Sequence, residues 1–312
     1  MSILITGSEG YIGKYLKKYL IKKGLNVCGL DKKRNIEITC NILDKEKLFS
    51  VFKKIKPVVV VHLAARTDLK GNTLEEYNEN ILGTNNLIEI CNKTKSVSRV
   101  IFASTMLVHN INRKNFYKNK FFNPLTKYGE SKAIMEKNIN NSKKNFSWCL
   151  IRPTTIWGGK MKNHMNLFLR LIKIGLYFNI DNKKPIFKSY GYIINSCYQI
   201  YKIINAKKKL INSKTFYICD YDPIEFNDWT DKIALRLKNR KNLKINYKIY
   251  YFFAKIGNIF VSIGFKNFPI QTFRLNNMIT AYHVKNKNLQ KIASKLPYKL
   301  SEALKEFVDS NN

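Results

Sequence analysis

Short apolar runs alternate with amphipathic segments through the first half of the chain. The apolar runs predict buried strands, and the segments between them repeat apolar residues every three or four positions, as helices do. The predicted strands cover residues 3–5, 26–30, 58–62, 99–104 and 146–152, and the predicted helices cover 11–23, 44–54, 74–95 and a segment from about 127. Apolar strands separated by helices indicate a parallel sheet with helices on both faces. We therefore predict an α/β fold with the doubly wound parallel sheet of the Rossmann type.

The regular alternation ends after residue 157 and gives way to an irregular pattern. We predict there a helix near 166–174, a strand near 215–219 and a long helical stretch from about 247. This change predicts a first domain over residues 1–157 and a smaller C-terminal domain over 158–312. Segments near 186–220 are expected to return to the first domain.

The long helical stretch carries one apolar stripe. Its members recur at steps of three and four and are Ile249, Phe252, Phe253, Ile256, Ile259, Phe260 and Ile263. Either a helix packed on the sheet domain or a helix lying at a membrane surface requires such a stripe. Because Lys255 interrupts the apolar run, we favour packing in the protein core and predict no membrane insertion.

The charge of the chain is strongly positive, at +35 over 312 residues. Such an excess is typical of nucleic-acid or anionic-membrane partners. The basic residues are nevertheless scattered, no nucleic-acid motif accompanies them, and the abundance of Lys, Asn and Ile is typical of A+T-rich coding. We therefore predict no nucleic-acid partner, while a positive field would favour substrates that carry phosphate.

Six cysteines lie far apart, without a CxxC pair and without a histidine at zinc spacing. They predict reduced thiols and no metal site. The first apolar run, Ile3 to Ile5, is shorter than the apolar region of a signal peptide, and no later segment is long enough to span a bilayer. We expect a cytoplasmic protein.

A glycine-rich turn, Thr6 to Gly13, joins the first strand to the first helix. There glycines let the backbone approach a pyrophosphate at the helix N-terminus. Asp31 ends the second strand 18 residues after the last glycine, where it can accept a hydrogen bond from a ribose 2′-hydroxyl. This favours NAD, although Asp31 could instead cap a turn. Lys32, Lys33 and Arg34 could pair with a 2′-phosphate, so NADP stays an alternative.

Tyr128 and Lys132 are four residues apart on a predicted helix, so their side chains share one face. This arrangement suits proton transfer. A phenol acting near pH 7 needs its pKa lowered by about three, roughly 4 kcal/mol in favour of the phenolate. Lys132 and a cationic nicotinamide could supply that stabilisation together.

These motifs occur in an order that resembles the extended short-chain dehydrogenase/reductase family, specifically its NAD-dependent epimerase/dehydratase group, over essentially the full chain. The matching positions are Thr6 to Gly13 (TGxxGxxG), Asp31, Asn41-Ile42, His62 to Ala65, Asn80, Gly83-Thr84, Ala103 to Thr105, Tyr128 with Lys132, and Arg152 to Gly158. The resemblance implies an NAD(P)-binding Rossmann domain over 1–157 and a mainly substrate-binding domain over 158–312.

The resemblance also implies roles for individual residues. Thr105 takes the place of the catalytic Ser/Thr that hydrogen-bonds the reacting sugar oxygen, Tyr128 is the acid/base, and Lys132 holds the nicotinamide ribose. The implied cofactor-binding residues are Gly7, Gly10, Tyr11, Ile12, Gly13, Asp31, Asn41, Ile42, Leu63, Ala64, Ala65, Asn80, Ser104, Tyr128, Lys132 and Pro153. The implied substrate-binding residues are Thr105, Thr155, Lys188 and Arg274, the last two as phosphate ligands.

Three departures from the family pattern bear on the identity of the substrate, while the redox residues are intact. Asn41 replaces the usual Asp, His109-Asn110 replaces Tyr-Gly, and Thr155 replaces a substrate-binding Asn. The resemblance implies an NAD-dependent nucleotide-sugar epimerase that acts through a transient keto-sugar in surface polysaccharide precursor synthesis, with a homodimer allowed. The alternatives are an NAD(P)H-dependent 4-keto-sugar reductase and a catalytically silent dinucleotide-sensing protein. A 4,6-dehydratase is disfavoured, because Met106-Leu107 stands where that branch has an Asp-Glu pair.

Overall fold

The structure is a computed structural model that describes residues 1–33, 36–118, 121–160, 164–181, 184–264 and 270–311. The chain forms two compact units. The first contains Met1–Ile156, Gly191–Asp220 and Val284–Tyr298, and the second contains Trp157–Tyr190, Tyr221–His283 and Lys299–Asn312. The segments 191–220 and 284–298 thus pack with the first unit.

The strands are numbered in chain order. They are β1 (Ser2–Thr6), β2 (Asn26–Asp31), β3 (Ile38–Thr39), β4 (Val59–His62), β5 (Arg99–Ala103), β6 (Ser147–Pro153), β7 (Thr155–Trp157), β8 (Phe178–Asp181), β9 (Phe187–Lys188), β10 (Tyr190–Tyr192), β11 (Lys214–Ile218), β12 (Ile224–Glu225) and β13 (Leu243–Asn246). In the described part of the first unit, a seven-stranded sheet has the order β11-β6-β5-β4-β1-β2-β3. All its neighbouring strands run parallel.

The α-helices are α1 (Tyr11–Lys22), α2 (Lys45–Ile55), α3 (Asn78–Lys93), α4 (Lys127–Asn141), α5 (His164–Lys173), α6 (Ile193–Asn205), α7 (Lys208–Ile211), α8 (Phe226–Lys238), α9 (Tyr247–Ser262), α10 (Thr272–Ile279), α11 (Lys287–Gln290) and α12 (Leu300–Asp309). Several of them begin at side-chain caps. At α2, Asp44 accepts from Lys47 N, and at α4, Thr126 accepts from Gly129 N. Such caps satisfy backbone donors that the first helical turn leaves free. The predicted doubly wound α/β fold is confirmed.

The second unit combines two short strand pairs with helices. β8 pairs with β13 in parallel, and β9 pairs with β12 antiparallel. Its core contains Trp157 and Trp229, whose rings meet edge to face with centroids 5.4 Å apart. Aromatic pairs of this kind add stability beyond the area that they bury.

The apolar stripe of α9 does not pack in the core, so that prediction is wrong. Ile249, Phe252, Phe253, Ile259, Phe260 and Ile263 are all exposed. A different and narrower face, around Ala254 and Gly257, is buried instead. Within the described residues, no helix is both long enough and apolar enough to cross a membrane.

Candidate active site

A cavity of about 460 Å³ lies at the carboxyl ends of the central strands of the first unit. The sheet reverses its winding direction at β1 and β4, and ligands of doubly wound folds bind beside this point. The predicted residues that line the cavity are Gly7, Gly10, Tyr11, Ile12, Gly13, Asp31, Asn41, Ile42, Leu63, Ala64, Ala65, Ser104, Thr105, Tyr128, Lys132 and Pro153. Other lining residues, such as Thr67 and Glu79, were not predicted from the sequence.

The glycine-rich turn forms one wall of this cavity. Gly7 has a φ of +73°, and a β-carbon at Gly13 would overlap the carbonyl oxygen of Gly7. Gly10 N donates to that same oxygen at 3.0 Å, and α1 begins at the next residue. The turn can fold this tightly because Gly7 and Gly13 have no side chains, and it directs the N-terminus of α1 at the cavity.

His62 fixes the neighbouring wall. Its Nδ1 lies 2.7 Å from the Thr6 hydroxyl and its Nε2 lies 3.1 Å from the Thr84 hydroxyl. Burial lowers the pKa of His62 to about 3, so the ring is neutral. The histidine therefore ties the end of β4 to β1 and α3, and the following residues Leu63 to Ala65 line the cavity.

Asp31 is oriented by two backbone donors at the end of β2. Its Oδ2 accepts from Glu9 N at 2.9 Å and its Oδ1 accepts from Lys33 N at 3.2 Å. Each carboxylate oxygen can accept a further hydrogen bond, as a ribose hydroxyl would supply.

The two described lysines beside Asp31 have other contacts. Lys32 Nζ lies 2.5 Å from Glu79 Oε1, and Lys33 Nζ donates to the carbonyl oxygen of Glu9 at 3.2 Å. Arg34, the third suggested partner of a 2′-phosphate, lies outside the described residues. The Glu79 carboxylate also faces the cavity and adds negative charge beside Asp31.

Thr105, Tyr128 and Lys132 all line this cavity. Burial raises the pKa of Tyr128 to about 12, and a hydrogen bond with the Thr105 side chain partly offsets this rise. Lys132 Nζ donates to the carbonyl oxygen of Ala103 at 2.8 Å, which ties α4 to the end of β5. Burial lowers the pKa of Lys132 to about 7, while the Glu136 carboxylate opposes that shift.

Gly129 permits the approach of α4 to the segment that carries Thr105. A β-carbon at this position would overlap the carbonyl oxygen of Leu107. Thr105 caps the short 3₁₀ turn Met106–Val108 by accepting from Leu107 N at 3.3 Å. The sequence did not predict this requirement for glycine, although Gly129 directly follows Tyr128.

A buried ion pair supports α4 one turn beyond Lys132. Arg152 on β6 contacts Glu136 twice, through Nε to Oε1 at 2.8 Å and through Nη2 to Oε2 at 2.6 Å. Arg152 Nη1 lies 2.9 Å from His109 Nε2 and donates to Tyr217 OH at 3.1 Å. Burial, followed by the charge of Arg152, lowers the pKa of His109 to about 4.

Four predicted site residues lie elsewhere. Asn80 is buried, where its Oδ1 accepts from Arg66 N at 2.9 Å and its Nδ2 donates to Ser131 Oγ at 2.9 Å. Thr155 on β7 does not line the cavity, whereas its neighbour Thr154 does. Lys188 and Arg274 belong to the second unit, whereas the described residues that line the cavity belong to the first.

Lys188 is enclosed within the second unit. Its Nζ donates to the carbonyl oxygen of Asn277 on α10 and lies 4.5 Å from the ring centroid of Phe226. Burial lowers the pKa of Lys188 to about 7. Its role as a phosphate ligand stays a prediction, as does that of Arg274.

The cavity fits a dinucleotide. Within the described residues, the Ser104 hydroxyl is buried at the cavity wall without a hydrogen-bond partner, so it can accept or donate to a bound group. The turn around Gly10, the Asp31 carboxylate and this hydroxyl line one continuous cavity. No cluster of three or more potential metal ligands occurs among the residues that the structure describes.

Comparison with known proteins gives a consistent result. A model described as the NAD dependent epimerase/dehydratase family matches residues 3–181. A 4-epimerase of N-acetyl-alpha-D-glucosaminyl-diphospho-ditrans,octacis-undecaprenol from Escherichia coli O157:H7 is 22% identical, with 97% of this chain and 93% of that protein covered. The GDP-6-deoxy-D-talose 4-dehydrogenase of Aggregatibacter actinomycetemcomitans is 29% identical, with 70% of this chain and 74% of that protein covered.

A solved structure matches over nearly the whole chain. The UDP-N-acetylglucosamine 4-epimerase from Bacillus cereus superposes with a TM-score of 0.76 at 20% identity, covering 99% of this chain and 98% of that one. At this identity the similarity establishes the fold.

Proposed function

Because the chain belongs to the NAD-dependent epimerase/dehydratase family, a group of extended short-chain dehydrogenase enzymes, we propose that it epimerises a diphosphate-linked sugar. The proposed substrate is a nucleotide-sugar, and the proposed pathway is the synthesis of surface polysaccharide precursors. The carbon that we expect to react is C4, because the E. coli and B. cereus proteins above are named as 4-epimerases. The E. coli relative acts on a sugar joined through diphosphate to undecaprenol, so a lipid carrier in place of the nucleotide is the second candidate.

One observation carries this proposal: Thr105, Tyr128 and Lys132 line the same cavity as the glycine-rich turn. The residues that would hold NAD are those around Gly10, together with Asp31 at the adenosine ribose and Lys132 at the nicotinamide ribose. NAD bound in this way can accept a hydride and return it.

The side chains of this chain would move the proton. Tyr128 accepts the proton of a sugar hydroxyl at its phenolic oxygen as the attached carbon becomes a ketone. Thr105 donates a hydrogen bond to the same sugar oxygen and thereby holds it at Tyr128. The charge of Lys132 stabilises the phenolate, which offsets the high pKa that burial imposes on Tyr128. When the keto-sugar has turned within the pocket, Tyr128 returns the proton on completion of the epimerisation.

The two alternative reactions, dehydration and keto-sugar reduction, would use the same three residues. A dehydratase needs an acid and a base to remove water, and the apolar side chains of Met106 and Leu107 cannot supply them. A keto-sugar reductase would consume NAD(P)H, and the GDP-6-deoxy-D-talose 4-dehydrogenase similarity keeps this as the second reaction class. A silent dinucleotide sensor would show cofactor binding and no turnover.

The test is incubation of the purified protein and catalytic NAD with UDP-, GDP-, CDP- and dTDP-sugars, followed by NMR of the products. We expect a stereoisomer, retention of deuterium placed at the reacting carbon, and no net change in the absorbance of the reduced cofactor. Stoichiometric consumption of NAD(P)H with a 4-keto-sugar would assign a reductase. Absence of turnover on these substrates and on a polyprenyl-diphosphate sugar, with cofactor bound, would assign the silent protein.

A further inference from the structure

Helix α9 has three distinct faces. The first face packs against the rest of the second unit. It contains Tyr250, Ala254, Gly257 and Val261, which recur at steps of four and three. Ala254 packs there against Ile180 and Leu275, and Tyr250 packs against the same cluster. The two fully buried positions on this face, Ala254 and Gly257, are small, so the contact covers little of the apolar surface of the helix.

The second face is apolar and points to solvent. It carries the seven residues of the stripe from Ile249 to Ile263, and only Ile256 among them is partly buried. Phe252 and Ile259 are each 61% exposed, and Ile263 is 65% exposed. An apolar stripe of this length on an element that is otherwise anchored to the protein is typical of a docking surface.

The third face is polar and borders the apolar one. It consists of Lys248, Tyr251, Lys255, Asn258 and Ser262, again at steps of three and four. Lys255 Nζ lies 5.2 Å from the ring centroid of Tyr251. The helix therefore presents exposed apolar residues with lysines along one edge, which is the pattern of helices that lie in a membrane interface.

The part of the second unit that contains α9 is rich in basic residues. Between residues 232 and 283, all within this unit, the sequence holds 10 Lys and Arg and no Asp or Glu. Within the described residues, Lys244, Lys248 and Lys255 have no carboxylate partner at ion-pair distance. Asp181 on β8 is an acidic residue close to the start of α9. It pairs across the strands with Asn246, the residue that caps α9. The exposed lysines of α9, Lys248 and Lys255, complement a layer of phosphate groups and would repel the same face of a second copy.

We propose that α9 docks the protein on the surface of an anionic lipid bilayer. The helix lies in the plane of the interface, with Phe252, Ile259 and Ile263 among the upper acyl chains and Lys248 and Lys255 at the lipid phosphates. The membrane is bound at its surface and is not crossed, in agreement with the absence of a spanning helix among the described residues. This inference goes beyond the proposed reaction and does not depend on it.

The test is co-sedimentation of the full chain with vesicles made of equal parts phosphatidylglycerol and phosphatidylcholine. We expect binding that weakens at high salt, since part of the attraction is electrostatic. Phe252→Ser with Ile259→Ser should lower the partition coefficient by about 100-fold, because two large apolar side chains no longer enter the lipid. The matched control is Ile21→Ser with Leu82→Ser, which removes residues that are 51% and 48% exposed on the first unit. This control should bind like the wild type.

A second variant tests the charge separately. Lys248→Glu with Lys255→Glu should reduce binding to these vesicles at least about 10-fold at low salt. Thermal unfolding identifies any variant that fails to fold. In that case the other variant decides whether α9 binds the vesicles. Turnover without vesicles should be unchanged in both, so failure here is distinguishable from failure of the proposed reaction.

Three results would overturn the proposal. The first is an absence of wild-type binding to the anionic vesicles, and the second is equal binding by the wild type and the α9 variants. The third is a wild-type dimer that the double substitution Phe252→Ser, Ile259→Ser converts to a monomer, with neither protein bound to vesicles. The last result would assign the stripe to a second copy of the chain.

Discussion

Gly129 lies so close to the carbonyl oxygen of Leu107 that a β-carbon on Gly129 would overlap that oxygen. The position follows Tyr128 directly, and Leu107 is two residues beyond Thr105. The close approach therefore sets the separation of the two hydroxyls that we propose to handle the proton.

Gly129→Ala should impair both stability and turnover. Replacement of glycine by alanine inside a helix normally stabilises by about 0.5–1 kcal/mol. Here the added methyl group meets backbone, so we expect a loss of about 1–3 kcal/mol in the free energy of unfolding. Displacement of Tyr128 should lower kcat roughly 10- to 100-fold. Urea unfolding and steady-state kinetics measure the two effects.

The control for this substitution is Lys137→Ala, at an exposed position of the same helix. Its free energy of unfolding should change by less than about 0.5 kcal/mol, with kcat preserved. Wild-type kcat in Gly129→Ala would show that the close approach does not position Tyr128.

Tyr128→Phe should abolish most of the turnover while the fold and NAD binding are kept. The ring remains to pack in the cavity, and only the hydroxyl that transfers the proton is lost. We expect kcat to fall by at least about 100-fold. Tyr77→Phe is the control, since its ring centroid lies 6.2 Å from that of Tyr128 and its hydroxyl bonds backbone atoms of Asp68 and Gly71. Comparable losses in both variants would argue against Tyr128 as the acid/base.

Asp31 should determine the choice of cofactor. The wild type is expected to bind NAD(H) more tightly than NADP(H), because a 2′-phosphate would meet the Asp31 and Glu79 carboxylates. Asp31→Asn should weaken NAD binding roughly 10- to 100-fold through loss of a charge-assisted hydrogen bond. Glu79→Gln should instead improve NADP(H) binding, since Lys32 loses its partner and can pair with the phosphate. Titration calorimetry with both cofactors measures each effect, and tighter NADPH binding by the wild type would reverse the assignment.

Lys132 should make the stability of the cofactor-free protein depend on pH. Its folded pKa is about 7, against 10.5 for an ordinary lysine. Between these values the unfolded chain holds a proton that the folded chain lacks, so the free energy of unfolding rises with pH. The advantage of wild type over Lys132→Met should therefore grow from about pH 7 to about pH 10 and be constant below about pH 6. The pKa of Lys188 is also lowered by burial, but Lys188 is present in both proteins, so its contribution cancels in the difference between them. A difference that stays constant over this range in urea unfolding would contradict the lowered pKa.

The sheet domain was predictable because its signals are local. Strands buried on both faces read as continuous apolar runs, such as 58–62, and helix ends carry caps or glycines, such as Thr126 and Gly24. The glycine-rich turn and Asp31 likewise carry their chemistry in their spacing. We expected segments near 186–220 to return to the first domain, but the sequence did not show that 284–298 also packs there, since this depends on contacts between distant segments.

The wrong assignment of α9 has a physical reason. Periodicity identifies an apolar face but does not say what covers it, because a core and a membrane interface require the same spacing. The cofactor contact of Asn80 stays a prediction. Its sequence position did not show that its side chain bonds Arg66 and Ser131.

Glu136 and Arg152 provide the last prediction, which concerns stability. Their side chains are 1% and 10% exposed, and two hydrogen bonds join them. Glu136→Gln leaves the buried guanidinium without its counter-charge, so we expect a loss of about 3–5 kcal/mol in the free energy of unfolding. The matched control on the same helix is Glu130→Gln, which breaks the exposed pair with Lys127 and should cost at most about 1 kcal/mol. Urea unfolding at pH 7 measures both. If the two substitutions cost the same, the buried pair does not anchor α4 to β6, and the support that we assign to Lys132 must come from its bond to the carbonyl oxygen of Ala103.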